Sequence, residues 1–204
     1  MISGKPIGRL SLYRRLLNGL MHEGVQSVYS HDLAARAGVT AAQVRRDIMN
    51  IGYSGNPNRG YDVRMLVESI SNFLDDPDGQ NVALVGVGNL GRAILAFFSG
   101  RRPKLSIVAA FDSDPEKFGR VIRGCRCYSI DQAPEVIREL NIKIATLCVP
   151  ANVAQEIADL CIRAGVKGIL NFAPVPLHVS GSVYVEDIDM TMSIEKVAYF
   201  ARTN

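Results

Sequence analysis

The most specific chemistry in the chain lies in six residues, Gly86-Val87-Gly88-Asn89-Leu90-Gly91. The G-x-G-x-x-G spacing alone is common. Here it follows a buried-type apolar run, NVALV, and opens an apolar-periodic stretch, LGRAILAFF. Asp112 ends the next apolar run, 21 residues after Gly91. A strand, a glycine turn, a helix and an acid about 20 residues on make up the dinucleotide fingerprint. In that frame Gly86 permits the tight turn, Gly88 lets the backbone approach a pyrophosphate, and Gly91 lets helix and strand pack closely. Asn89 and Leu90 open the helix, whose N-terminus favours phosphate charge. Asp112 is expected to take the adenosine ribose hydroxyls and to repel a 2′-phosphate, favouring NADH and NAD+ over NADP(H). A glycine-rich turn without a ligand is the plainer alternative.

Two further segments fall where such a sheet binds ligands, beyond the carboxyl ends of strands. They contain Val149 and Pro150 in CVPA, and Phe172 and Pro174 in NFAP. Proline there stiffens the loop and removes a donor, and both segments also fit simple strand-ending turns. No catalytic pair accompanies them. His178 is the only histidine after residue 31, and no paired carboxylates or activated nucleophile stand out. A redox enzyme needs a proton donor or hydride acceptor beside the nicotinamide, so sensing is favoured over turnover. The four cysteines, Cys125, Cys127, Cys148 and Cys161, lack metal-site spacing and have no histidine nearby, so no metal is expected.

A second cluster of chemistry-bearing residues precedes the first. Thr40, Gln43, Arg45, Arg46 and Asn50 lie on one short predicted helix, and Arg59 follows in a glycine-bracketed loop. Basic and amide side chains on a helix suit a DNA major groove, where cations position the protein on phosphates and planar forks read bases. Arg59 is placed to reach a flanking minor groove. Residues 1–62 hold eight Lys and Arg against four acids, a balance of +4, whereas the rest of the chain is −1. A basic head is what phosphate binding needs, although a solvated face on a small interaction domain would look similar.

The elements that must hold these residues fall into two groups. Before a polar break at DDPDGQN (75–81), helical periodicity dominates. A long helix carries Leu10 to Met21. A second covers Leu33 to Ala37 and stops at Gly38; a third runs from Ala41 to about Asn50 after the N-cap candidate Thr40. Two short helices joined by a tight turn form a helix-turn-helix. The stretch GYSGNPNRGYDV then reads as a hairpin wing, closed by a helix from Val63 to Leu74. After the break, four predicted strands alternate with helices, which indicates a parallel sheet covered on both faces. A last amphipathic helix, about Ser193 to Arg202, has too little chain before it to form a domain of its own, and its apolar side needs a partner. The predicted class is α/β: a winged-helix domain (1–76), a Rossmann-type domain (80–190) and a C-terminal dimerisation helix (191–204). No apolar run is long enough to span a bilayer and no signal-type start is present, so a cytoplasmic location is expected.

With both halves read, the sequence resembles the Rex family of redox-sensing transcriptional repressors. The resemblance rests on RLSLYRRLL, VTAAQVRRD and RGYDV in the head, and on GVGNLGRA, AFDSDPEKFGR, CVPANVAQ, AGVKGILNFAPV and VEDIDM in the body. It implies a homodimer with swapped C-terminal helices, winged helices on palindromic operator DNA, and NADH as the ligand that releases the DNA. It also implies switch roles for Arg15 and Asp189. Two positions depart from the pattern: the wing GNPNRGY carries a proline and sets Arg59 beside Gly60, and Phe97 stands where the family often has a tyrosine. An NAD-dependent dehydrogenase and a CoA-binding or other nucleotide-sensing regulator are the alternatives. Turnover of NADH with a small carbonyl compound would mark the first, and titration with CoA the second.

Overall fold

Apolar residues at helical spacing form α1 (Gly4–His22), which buries Leu10, Tyr13, Leu17 and Leu20 along one side. The computed structural model describes residues 4–98 and 104–203 and separates into two units, Met1–Pro77 and Asp78–Asn204. In the first unit, α2 (Ser30–Ala37) ends at Gly38, whose φ of 67° is the left-handed cap that glycine adopts without strain. The next helix, α3 (Ala41–Asn50), starts where the Thr40 hydroxyl accepts the Gln43 N–H at 3.2 Å. In the same way, Asp62 caps α4 (Val63–Leu74) by accepting the Met65 N–H at 2.8 Å. Leu33, Val44, Ile48, Leu66 and Ile70 join the α1 residues in one core. Each such side chain contributes roughly 1.5–3 kcal/mol by leaving water. Arg14 ties α1 to the end of α4 through two hydrogen bonds to Asp75, at 2.7 and 2.8 Å.

The wing departs from a simple two-armed hairpin. Its arms meet only at Asn56 and Gly60, whose backbones exchange two 2.8 Å hydrogen bonds. The returning strand, β2 (Tyr61–Asp62), pairs instead with β1 (Ser27–Val28), antiparallel. Pro57 has no N–H to give a ladder and suits the second position of the turn that Arg59 closes onto Asn56. Gly60, at φ 75°, lies so close to β1 that a Cβ would sit 2.5 Å from the Val28 carbonyl oxygen.

The second unit is a seven-stranded sheet. Its central strands are β3 (Gln80–Val85) and β4 (Leu105–Asp112), followed outward by β6 (Cys125–Ser129) and the antiparallel edge strand β5 (Val121–Ile122). On the other side of β3 lie β7 (Ile142–Leu147), β8 (Gly168–Asn171) and β9 (Tyr184–Asp187). All but β5 run parallel. The helices are α5 (Asn89–Phe98), α6 (Ala133–Glu139), α7 (Ala151–Ala164) and α8 (Met190–Thr203). The order β6-β4-β3-β7-β8-β9 is doubly wound, and its direction reverses between β3 and β7. Ligands bind such sheets in the crevice outside the carboxyl ends at that reversal. Strands β5, β6 and β9 come in addition to the four predicted ones. The last helix begins three residues earlier than its periodicity indicates, because the Asp189 carboxylate accepts the Met192 N–H at 2.8 Å and starts it at Met190.

Candidate functional site

Backbone hydrogen bonds carry the strand ladders past their ends and gather the cleft. The Gly86 N–H donates to the Phe111 carbonyl at 2.8 Å, Cys148 N–H to Val85 at 2.8 Å, and Phe172 N–H to Leu147 at 2.9 Å. The glycine turn, the end of β4, and the segments holding Val149, Pro150, Phe172 and Pro174 therefore share one edge of the sheet. Two of the three glycines are fixed by the fold itself. A Cβ on Gly86 would lie 2.3 Å from the Cys148 carbonyl oxygen, and one on Gly91 would lie 2.0 Å from that of Gly86. Gly88 is different: a Cβ there would meet nothing within 4 Å. Packing within the chain does not explain that glycine; in a turn of this spacing the middle glycine is the one that lets the backbone come close to a phosphate. Asn89 and Leu90 start α5, where the first N–H groups have no partner inside the helix.

Asp112 is buried at the end of β4, with its carboxylate already engaged. Oδ2 accepts the Val87 N–H at 2.7 Å and the Lys117 ammonium at 3.0 Å, and Oδ1 accepts the Asp114 N–H at 2.9 Å. Burial alone would push this carboxyl up, but the two backbone donors and Lys117 outweigh it and hold it below the usual carboxylate value. Asp112 is thus an anion that shapes the glycine turn from the carboxyl end of β4.

The NFAP segment is organised by Asn171, which is fully buried. Its amide nitrogen donates to the Val175 carbonyl at 2.8 Å and to the Asp187 carboxylate at 2.7 Å, and its oxygen accepts the Ala173 N–H at 3.0 Å. Phe172 is half-buried against the cluster containing Leu84 and Val87, while Pro174 is exposed. Pro150 is also exposed and sits at the start of α7.

On α3, Arg45, Arg46 and Asn50 are exposed, as is Arg59 at the wing tip. Tyr29, Arg45, Met49, Tyr53, Asn56 and Pro57 border an open groove of about 440 Å³ between α3 and the wing. The tip is held by the Asn56 side chain, which accepts the Asn58 N–H, and by the Tyr29 hydroxyl, which donates to the Asn58 carbonyl, both at 2.8 Å. Three of the residues singled out for DNA also act within the fold. Thr40 caps α3, Arg45 reaches the Ser30 hydroxyl at 3.0 Å, and the Gln43 amide donates to Asp47 at 2.8 Å.

Asp47 is the buried polar centre of the head. Arg9 grips it with two hydrogen bonds, at 2.6 and 2.8 Å, and the Tyr13 hydroxyl donates to it at 3.0 Å. Burial would raise its pKa, but hydrogen bonds from Arg9, Gln43 and Tyr13 and the Arg9 charge keep it lowered. This clamp fixes α3 on α1.

Arg15 is exposed on α1 in the first unit. In the second unit, Phe97 is exposed near the end of α5, edge-on to Phe98, and Asp189 caps α8. Burial pushes the thiols of Cys125 and Cys148 up to about 11 and that of Cys161 to about 12. Among the described residues, no three His, Cys, Asp or Glu side chains are grouped to hold a metal, and no helix is long and apolar enough to cross a membrane. Sequence reasoning missed Lys117, Asn171 and the Arg9–Tyr13–Asp47 clamp as parts of these sites. The run DSDPEK, with a lysine five residues after Asp112, was the available signal for the first.

Comparison with known proteins adds independent findings. Residues 78–175 match the family model described as CoA binding domain, and residues 1–48 match Putative DNA-binding protein N-terminus. The chain is 42% identical to a redox-sensing transcriptional repressor Rex of Roseiflexus sp. (strain RS-1), over 95% of this chain and 88% of that one. It is 40% identical to the Rex repressor of Carboxydothermus hydrogenoformans, over 96% and 94%. The crystal structure of RSP in complex with β-NAD+ and operator DNA superimposes with a TM-score of 0.92 at 33% identity, covering 100% of this chain and 94% of that one. RSP in complex with β-NADH gives 0.88 at 32% identity, covering 100% and 95%.

Proposed function

The chain belongs to the Rex family of redox-sensing transcriptional repressors, and we propose that it represses transcription by binding palindromic double-stranded operator DNA as a homodimer and releases it when NADH binds. The observation that carries this reading is the union, on one chain, of a basic helix-turn-helix with a wing and a doubly wound sheet whose glycine turn leaves room at Gly88. Thr40, Arg45, Arg46, Asn50 and Arg59 are the exposed residues for DNA, with the half-buried Gln43 beside them. Gly86 to Gly91, Asp112, Val149, Pro150, Phe172 and Pro174 form the NAD(H) cleft. The relatives are named transcriptional repressors, in keeping with a sensor rather than an enzyme. Its place of action is the cytoplasm, where the NADH/NAD+ balance is set.

The dimer reading rests on α8. Ile194 and Val197 are each 69% exposed, and no side chain of the helix from Met190 to Arg202 is buried by its own chain. A short helix this exposed along its length is marginal in water by itself, so α8 is assigned to a partner subunit. Two arrangements of the dimer then suffice. In one, the recognition helices lie about 34–36 Å apart, one DNA turn. In the other, NADH holds the bodies closed and the heads no longer match successive grooves. NADH drives this only by its differential affinity for the closed state, and a shift from 1:99 to 99:1 takes about 5.5 kcal/mol. NAD+, with a charged planar ring, favours closure less.

The deciding experiment is operator binding on a palindromic site with and without saturating NADH. NADH should weaken binding, and equal affinities would refute the sensor reading. The match of residues 78–175 to a CoA-binding model keeps CoA as a specific rival ligand. Parallel titrations with NADH, NAD+ and CoA separate the two.

A further inference from the structure

The geometry points to Lys117 as a second determinant of nucleotide selectivity, the cation that faces the adenosine ribose 2′ position beside Asp112. This rests on the dinucleotide reading of the cleft. A carboxylate offers about four lone-pair positions. Asp112 spends three of them inside the chain, on the Val87 N–H, the Asp114 N–H and the Lys117 ammonium. One position remains, so the carboxylate with these partners accepts one ribose hydroxyl and not both. The neighbouring group able to serve the other is Lys117. Its side chain is only 20% exposed, and its ammonium lies 3.0 Å from Asp112 and 3.4 Å from Asp114. An ammonium carries three donors; two are directed at these carboxylates, and the third is left for a ribose oxygen.

The same placement changes how a 2′-phosphate is rejected. Asp112 and Asp114 present two negative charges, and Lys117 offsets one of them. Rejection therefore comes from the acids against a standing attraction from Lys117. Where a dinucleotide site accepts a 2′-phosphate, a nearby cation does so, and here that cation is already in place, masked by Asp112. Removing the Asp112 charge unmasks it.

Calorimetric titration of the full chain with NADH and NADPH tests this in four forms: unaltered, K117M, D112N and D112N/K117M. Asparagine keeps an acceptor for the Val87 N–H, and methionine keeps the apolar stem. D112N should gain NADPH affinity about tenfold, the scale of one hydrogen bond to a charged group, and K117M should remove that gain in the double variant. In the unaltered background, K117M should widen the NADH preference, read by competition of NADPH against bound NADH. A double variant that keeps the gain shows that another cation takes the phosphate and overturns the assignment. So does a K117M protein with an unchanged preference, a readout that decides the matter alone if D112N does not fold. Failure of the folded, unaltered chain to bind NADH would instead overturn the dinucleotide reading, and Lys117's role with it.

Discussion

The side-chain amide of Asn171 donates a 2.7 Å hydrogen bond to the carboxylate of Asp187, joining the loop after β8 to the end of β9. The bond is reinforced by the Ile188 N–H, which donates to the Asn171 carbonyl at 2.8 Å. Asp189, which starts α8, is two residues beyond Asp187. The cleft loop and the root of the C-terminal helix are therefore held as one piece. Asn171→Asp keeps the shape but loses both donors and opposes a second carboxylate to Asp187. It should cost about 2–4 kcal/mol at pH 7 by chemical denaturation. The loss should shrink as pH falls and the new buried acid takes up a proton.

Gly88 and Gly91 should separate ligand binding from folding. Gly88→Ala adds a methyl into open space, so unfolding free energy should change by no more than about 0.5 kcal/mol while NADH binding is lost by calorimetry. Gly91→Ala places a Cβ 2.0 Å from the Gly86 carbonyl oxygen and should lower the melting temperature with or without nucleotide. Equal melting of the two variants would contradict this division.

The Asp47 clamp predicts an acid limb of stability. Asp47 has a lowered pKa in the folded chain, so its contribution is complete above the ordinary carboxylate value. That contribution is lost as pH falls through the lower folded value. Arg9→Met leaves the Asp47 charge with only neutral donors and should cost about 3 kcal/mol near neutrality. The penalty should narrow as pH falls through that lower folded value, below which Asp47 is neutral in both states.

Much of this was legible in the sequence, and the boundary between legible and hidden follows distance along the chain. The Gly86–Gly91 turn, the Thr40 cap and the bounds of α4 depend on neighbours a few residues away. Asn171 depends on Asp187, 16 residues on, in a strand whose residues are mostly exposed and whose parallel pairing leaves no turn to announce it. Asp47 looks like one more polar residue on a basic helix until Arg9, 38 residues earlier, packs over it. Gln43 reads as a base contact because its tie to Asp47 is visible only once the helix is placed. In β6, by contrast, Cys125 and Cys127 point inward and Arg126 outward, an alternation that was readable but too short to stand out.

For DNA, Arg46→Ala should weaken operator binding and reduce the slope of log affinity against log salt by about 0.9, one phosphate contact. NADH affinity of the free protein should stay the same. A variant that loses NADH binding instead would show that the two units do not act as separate binding bodies.

Asp189 invites a test that separates capping from switching. Asp189→Ala removes the acceptor for the Met192 N–H and should cost about 1 kcal/mol of helix stability, which confounds any loss of response. Asp189→Asn keeps a good cap and deletes the charge on which the expected switch role depends. The ratio of operator affinities with and without NADH should fall in Asp189→Asn while each ligand alone still binds. A ratio equal to that of the unaltered protein would remove Asp189 from the switch. Linkage requires operator DNA to weaken NADH by the same factor.

The burial of the cysteines decides which oxidants this protein can hear. Peroxides and disulfides react with thiolates, not thiols. With the Cys125 and Cys148 thiols at about 11, on the order of one molecule in ten thousand carries either thiolate at pH 7. Direct oxidation of these two thiols is therefore slow, and brief exposure to peroxide leaves them reduced. A response routed through the nucleotide cleft would then follow the nucleotide pool rather than these thiols, and would reverse with it.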